Sequence, residues 1–170
     1  MRTGIIDRMS ITISTLARYA VPVVVALAGS TAPAAAEGGT VLPMRSILRA
    51  CDFSPIPDRS STDRGTASAV IHVNGGSVTA DVHLAEPGQP GTHYDVSLIQ
   101  VPRASSAPCD VPGPGVAVAG LDSDGAGVAN TTVRDGLRSG TTGVWVFIRR
   151  ASPISQSPAE FYTSDFAASV

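Results

Sequence analysis

The chain has no lysine, only two cysteines, few aromatic residues and few charges, and each scarcity excludes a class of protein. All twelve basic residues are scattered arginines, so the chain has no basic stripe of the kind that binds nucleic acid or an anionic membrane surface. Aromatic residues make up 5% of the chain and charged residues 15%, while Gly, Pro, Ser and Thr are frequent. Short apolar runs between many turn-forming residues are typical of an all-β protein.

A long hydrophobic run is also missing. The run from Val21 to Ala28 is far shorter than the ~20 residues that a membrane span needs, and Pro22 interrupts it. Three arginines precede it, and Ala34-Ala35-Ala36 follows it just before Glu37. A positive flank, a short apolar stretch and an A-x-A site predict a cleaved secretory signal over residues 1–36. We therefore expect a secreted, extracellular protein without a membrane span, either free or associated with the cell wall.

The remaining 134 residues suit a single domain. Ser30 stands where a lipid-modified cysteine would follow Leu27-Ala28-Gly29, which argues against a lipid anchor. After residue 36, nine arginines against thirteen Asp and Glu give a formal charge of −4. We divide this part into an N-terminal segment, 37–65, and a β domain, 66–170, and we expect a monomer.

The two cysteines, Cys51 and Cys109, predict one disulfide. An even number of cysteines in an exported protein indicates a disulfide. The C-x-x-C spacing of a redox or metal pair is absent, and no histidine lies close in the sequence. The bridge would tie the N-terminal segment to the proline-rich loop from Pro102 to Pro114 and stabilise the fold by ~4 kcal/mol in the chain-entropy model.

Alternating apolar residues predict most of the strands. Thr66–Val73 and Val78–Leu84 form a hairpin around Asn74-Gly75-Gly76, since Asn and Gly adopt positive φ at low cost in tight turns. Its apolar face carries Ala67, Ala69, Ile71 and Val73 opposite Val78, Ala80, Val82 and Leu84. The segment 42–50 is either a short helix or an edge strand, and the segment 52–64 is a loop.

Further strands are predicted over 92–101, 116–121, 127–133, 144–148 and 161–168. The run Val144–Ile148 is apolar on both parities, which predicts a central strand covered on both sides. Seven strands at this spacing indicate an immunoglobulin-like sandwich of two antiparallel sheets.

Several short stretches resemble small exported proteins of mycobacteria and related actinobacteria. The stretches are 51–54 (CDFS), 92–96 (THYDV), 98–100 (LIQ), Cys109, 121–125 (LDSDG), 143–146 (GVWV) and 160–164 (EFYTS). The resemblance implies a secreted β protein closed by a disulfide. It implies no activity and assigns no functional residue.

A polar cluster on the outer sheet face is the strongest candidate site. If the strand that ends at Leu84 pairs with the strand that begins at Thr92, His83 lies opposite His93 and Asp81 opposite Asp95. Facing side chains are ~5 Å apart, which would allow two histidines and a carboxylate to bind a divalent metal. The alternative is an ordinary solvated face of an antiparallel sheet. A shift of two in the pairing would put His83 opposite Asp95 instead, and the four residues would still cluster. In either register His72 lies four or more positions along the ladder from the residue opposite His83, which is too far for it to join the cluster.

Two other motifs have a simpler structural interpretation. Asp122-Ser123-Asp124-Gly125 resembles the start of a calcium loop but lacks the third oxygen ligand and the distal glutamate, which favours a hairpin turn. A ligand groove could be lined by Trp145, Phe147, Phe161 and Tyr162. Aromatic residues are so scarce in this chain, however, that most of these four are needed to build the core.

No catalytic set emerges from the sequence. Gly-x-Ser-x-Gly is absent and no cysteine is left to act as a nucleophile. Three histidines are too few for a copper-zinc superoxide dismutase, although that enzyme shares the sandwich architecture. No carboxylate pair is singled out for glycosidase chemistry.

We therefore expect a protein that is not an enzyme and has no cofactor, and that binds a protein or a glycan of the cell envelope. The alternatives are a metal-binding protein that uses His83, His93, Asp81 and Asp95, and a structural component of the envelope.

Overall fold

The structure is a computed structural model that describes residues 38–60 and 65–170. The predicted signal segment, 1–36, lies outside the described residues. All regular elements of the described part are β-strands, and none is a helix long and apolar enough to cross a membrane. In chain order the strands are β1 (Thr40–Arg45), β2 (Ile47–Arg49), β3 (Pro55–Ser60), β4 (Thr66–Asn74), β5 (Ser77–Ala85), β6 (His93–Val101), β7 (Val116–Asp122), β8 (Val128–Gly136), β9 (Gly143–Arg150), β10 (Glu160–Ser164) and β11 (Ala168–Ser169).

Nine of these strands form one antiparallel sheet in the order β7-β6-β9-β10-β1-β4-β5-β8, with β11 also paired to β9. The two ends of this order, β7 and β8, are packed beside each other and are joined by the turn 123–127. The sheet therefore curls almost into a barrel around one apolar interior, to which nearly every strand contributes. Strands β2 and β3 form a separate two-stranded ribbon.

The predicted all-β class, the antiparallel pairing and the disulfide are confirmed. The strand count differs, because the described residues form eleven strands and not seven, and the main sheet is continuous rather than split in two. Alternation of apolar and polar residues shows which face of a strand is buried. The alternation is the same whether the buried side of the sheet packs against a second sheet or the sheet curls around to pack against itself.

The hairpin of β4 and β5 follows the predicted pattern. Asn74 pairs with Ser77, so Gly75 and Gly76 form a two-residue turn with φ of 54° and 84°. The predicted apolar face points into the interior, although Val73 at the end of β4 is 47% exposed.

Strand β1 corrects the predicted domain division. The segment 42–50 was expected to be a helix or an edge strand outside the β domain, but β1 pairs with β10 on one side and β4 on the other. Leu42 is fully buried in the interior. Residues from Ala36 to Val170 form one compact unit, so residue 65 does not mark a domain boundary. The predicted loop 52–64 contains β3.

Strand β9 is covered on both faces, as predicted. Val144, Val146 and Ile148 point into the barrel interior, whereas Trp145 and Phe147 join a second apolar cluster on the outside of the sheet. The β2–β3 ribbon and the disulfide lie over this second cluster, which gives the loops around it a rigid base.

Candidate functional site

The four predicted metal ligands lie on two strands that are not paired with each other. Strand β5, which carries Asp81 and His83, pairs with β4 and β8. Strand β6, which carries His93 and Asp95, pairs with β7 and β9. The predicted pairing of β5 with β6 is wrong, because the β7–β8 hairpin lies between them.

This arrangement separates the two histidines. His83 lies opposite Asn130 of β8, and His93 lies opposite Asp122 of β7. Two strands, β7 and β8, lie between the strand of His83 and the strand of His93, so the two histidines are not cross-strand neighbours. Zinc ligands lie ~2 Å from the ion, so these four residues cannot share one metal. In the part of the chain that the structure describes, no group of three or more His, Cys, Asp or Glu is placed to hold a metal ion.

The two candidate ligands on β5, Asp81 and His83, belong to a polar strip on the outer face of β4, β5 and β8. This strip surrounds a shallow depression of about 450 Å³. The Asp81 carboxylate accepts a hydrogen bond from Thr132 at 2.7 Å, and His83 Nδ1 lies 2.9 Å from Asn130 Oδ1. His72, which we expected to lie apart, places Nε2 3.3 Å from Asp81 Oδ2. Its strand is the direct neighbour of β5, and the two residues are diagonal across the ladder.

The β6 residues belong to a chain of charged side chains on another part of the sheet. His93 Nδ1 lies 2.6 Å from Asp122 Oδ1, and its Nε2 lies 3.7 Å from Asp95. Arg149 of β9 then joins Asp95 to Asp110. The hydrogen bond with Asp122 raises the pKa of His93 above its usual value, with a further contribution from the charges of Asp122 and Asp95.

The end of this charged chain forms one wall of a groove beside the disulfide, with a volume of about 380 Å³. We call it the disulfide groove. Three separate segments build it: the ribbon, the proline-rich loop, and the end of β9 with the loop that follows. Its lining residues are Leu48, Arg49, Ala50, Cys51, Ile56, Ser105, Ser106, Ala107, Pro108, Cys109, Asp110, Phe147, Arg149, Gln156 and Pro158.

Exposed apolar side chains lie at and beside the disulfide groove. Ile56 lines it and is 36% exposed. Val111, which follows the lining residue Asp110, is 50% exposed, and Ile154, two residues before Gln156, is 94% exposed. Exposed apolar groups around a concave site are typical of surfaces that bind a partner.

The four aromatic residues considered for a ligand groove are all buried, in agreement with the preferred interpretation that they build the core. Phe147 is the one of the four that borders the disulfide groove. Trp145 packs edge-on against Phe53 and stacks on Phe147 beneath the groove.

The calcium-like motif is a hairpin turn, in agreement with the preferred interpretation. Asp124 Oδ1 accepts hydrogen bonds from the backbone amides of Ala126 and Val128 at 2.8 and 2.9 Å. These backbone hydrogen bonds, that of Val128 first, lower the pKa of Asp124. The carboxylate is thus used to shape the turn between β7 and β8.

A buried polar cluster at one end of the barrel was not predicted; we call it the interior Glu–Tyr cluster. Tyr162 Oη lies 2.9 Å from Glu86 Oε2 and 3.1 Å from Glu160 Oε1. Tyr94 Oη and Arg150 Nε donate to Glu160 Oε2 at 3.0 and 3.1 Å. Burial is the main cause that raises the pKa of both tyrosines, so the phenols stay protonated as donors.

The sequence held a partial signal for this cluster. Glu86 and Glu160 are the only glutamates after residue 37, and Glu160 shares its strand face with Tyr162. A charged residue at the end of a strand usually faces water, however, and burial of both carboxylates depends on contacts between distant strands.

Comparisons with protein-family models, with curated proteins and with solved structures found no match. The resemblance to small exported actinobacterial proteins therefore stays a prediction.

Proposed function

We propose that the chain is an exported, non-catalytic binding module, and that the disulfide groove is where its partner binds. The observation that carries this proposal is the groove itself, a depression of about 380 Å³ whose lining includes the exposed apolar side chain of Ile56. Loops held on a rigid sheet commonly carry the binding residues of a protein.

The groove is held in shape before any partner arrives. The disulfide joins the turn after β2 to the proline-rich loop, between cysteines whose sequence separation is 58. Arg149 fixes the same loop from the sheet, since its Nη1 lies 3.0 Å from Asp110 Oδ2 and its Nη2 donates to the Asp110 carbonyl. A preformed site loses little conformational entropy on binding, which favours affinity.

The surroundings of the histidines support a non-catalytic role. His83 is paired with an amide, and His72 and His93 are paired with carboxylates. In nucleophilic catalysis a histidine accepts the proton of a hydroxyl or thiol, even where a carboxylate holds its other nitrogen. The hydrogen bonds and ion pairs of these histidines within the described residues join none of them to a hydroxyl or thiol. The disulfide agrees with export, because disulfides persist mainly in oxidising compartments.

The partner that suits this groove best is a protein of the envelope or the extracellular space. Sugar rings commonly pack on exposed aromatic faces, whereas the aromatic residues near the groove lie mostly below its surface. Arginine and phenylalanine are enriched at protein interfaces, and the lining contains Arg49, Arg149 and Phe147.

Selection from a random dodecapeptide library displayed on phage would test this proposal, with the purified protein as bait. Ser106→Trp fills the groove from the exposed proline-rich loop, and Thr132→Trp places the same side chain in the polar strip as a matched control. Calorimetry should show that selected peptides bind the wild type and Thr132→Trp alike, and bind Ser106→Trp at least tenfold more weakly. Peptides that bind Ser106→Trp as well as the wild type would contradict the assignment of the groove.

A further inference from the structure

Building on the proposed function, we infer that the partner of the disulfide groove presents a carboxylate to Arg49, next to an apolar side chain that enters the groove. The two arginines of the groove, Arg49 and Arg149, are held by different partners, and this difference indicates the chemistry of the partner.

Arg49 is fixed in place by contacts that include no acidic side chain among the described residues. Its Nη1 donates to the Phe53 carbonyl at 3.1 Å, its Nη2 donates to the Asp165 carbonyl at 3.4 Å, and its guanidinium carbon lies 4.1 Å from the centre of the Phe53 ring. In the described residues, no ion pair to a carboxylate is formed by this side chain. Each Nη carries two N–H groups, so donors remain for a ligand.

The Phe53 ring that supports Arg49 is set by an unusual backbone. Phe53 has a φ of 75°, a conformation that residues other than glycine rarely adopt. Two backbone hydrogen bonds hold this turn: the Phe53 amide donates to the Ala50 carbonyl, and the Ala50 amide donates to the Ser54 carbonyl. The turn follows β2 directly, and it orients the arginine at the edge of the groove.

Arg149 provides the contrast within the same groove. Its guanidinium contacts the carboxylates of Asp110 and Asp95 at 3.0 and 3.4 Å, so its charge is already compensated. Of the two arginines that line the groove, Arg49 is thus the one without a carboxylate partner among the described residues, on a chain whose residues after 36 carry a formal charge of −4. A carboxylate can engage a guanidinium through two parallel hydrogen bonds, a geometry that gives both strength and direction.

Apolar surface lies within the same groove. Leu48 and Ile56 come from the ribbon, and Phe147 comes from the sheet below. A ligand that carried charge alone would leave this surface exposed to water, and a purely apolar ligand would cover the Arg49 charge without pairing it. The lining therefore fits an acidic residue beside Leu, Ile, Val or Phe in the partner.

The test uses the dodecapeptide library described above. Panning is carried out in parallel on the wild type, on Arg49→Met and on Arg45→Gln. Methionine keeps an unbranched side chain over Phe53 without the charge, and Arg45 is a matched control because it pairs with Asp165 and does not line the groove. The wild type and Arg45→Gln should enrich peptides with Asp or Glu next to an apolar residue, and Arg49→Met should lose this enrichment.

A second measurement needs no variant of the protein. Changing the acidic residue of the best peptide to its amide, Asp→Asn or Glu→Gln, should weaken binding to the wild type about tenfold. Peptides that bind in the groove without any acid preference, or an amide peptide of equal affinity, would overturn this inference and leave the proposed function standing. Selected peptides that bind Ser106→Trp as tightly as the wild type would overturn the proposed function, and this inference with it.

Discussion

Replacing Tyr162 by Phe should destabilise the protein more than replacing Tyr94 by Phe, although each change removes one buried hydroxyl. Tyr162 Oη contacts both Glu86 and Glu160, whereas Tyr94 Oη contacts Glu160 alone. The difference in stability between the two variants therefore measures how much the Tyr162 hydroxyl stabilises the interior Glu–Tyr cluster.

The structure sets the expected magnitudes. In Tyr94→Phe, Glu160 keeps Arg150 and Tyr162 as neighbours, so the loss should be about 1 kcal/mol, as for an ordinary hydrogen bond. In Tyr162→Phe, the Gly88 amide at 3.2 Å is the hydrogen-bond donor to Glu86 that the described residues retain. A buried charged group left short of donors costs about 2–4 kcal/mol.

Thermal and urea denaturation at pH 7 would measure the difference. At roughly 3–4 °C per kcal/mol for a domain of this size, Tyr94→Phe should lower Tm by about 3–4 °C and Tyr162→Phe by about 6–16 °C. Mass analysis under non-reducing conditions would confirm that both variants keep the disulfide. Equal losses, or a larger loss for Tyr94→Phe, would refute the view that Glu86 depends on the Tyr162 hydroxyl as its donor.

Three further predictions concern other parts of the chain. Asp122→Asn should lower the pKa of His93 in an NMR titration, because the hydrogen bond between the two side chains raises this pKa. The stabilisation that the variant removes, under about 1 kcal/mol, is present in acid and fades as pH rises through the pKa of His93. An unchanged titration of His93 would contradict the pairing. Gly65→Ala should cost about 1–3 kcal/mol in urea denaturation, since a Cβ there would overlap the interior Glu–Tyr cluster, while Gly113→Ala, with open space around its added Cβ, should be nearly neutral. Mass spectrometry of the exported protein should find Glu37 at its N-terminus, and a retained leader would refute the predicted cleavage.

Local features of the fold were predictable from the sequence. The β4–β5 hairpin depends on alternation within two adjacent segments, and its apolar face is as expected. The sequence left two turns open, Asn74-Gly75 and Gly75-Gly76, and the structure has the second. The burial of β9 on both faces followed from Val144–Ile148, a run without a polar residue. The disulfide followed from the count of cysteines.

Long-range pairing was not predictable in the same way. The segment 86–92 is short enough for a hairpin between β5 and β6, but it runs along the turn 123–127 instead: the Glu86 amide donates to Gly127 O, and Gly91 N donates to Asp124 O. Gly127, with φ of 77°, lies so close to this backbone that a Cβ would overlap Glu86. Nothing local in residues 81–95 reveals that contact, so the metal-site hypothesis rested on the wrong neighbours.

The disulfide groove was out of reach for the same reason. Its lining comes from residues 48–56, 105–110 and 147–158, and only the link between Cys51 and Cys109 was visible in the sequence. The third segment joins the groove because β9 lies beneath the ribbon in the second apolar cluster. Such a site is defined by packing between elements and not by a motif.

The most direct test of the account is to map the amide shifts of the ¹⁵N-labelled protein while a library-selected peptide is added. Binding in the disulfide groove predicts shifts at Cys51, Asp110 and Phe147, with the indole signal of Trp145 moving as well because it stacks on Phe147. Shifts confined to the polar strip around Asp81 and His83 would contradict the account and move the binding site to the opposite side of the β7–β8 hairpin.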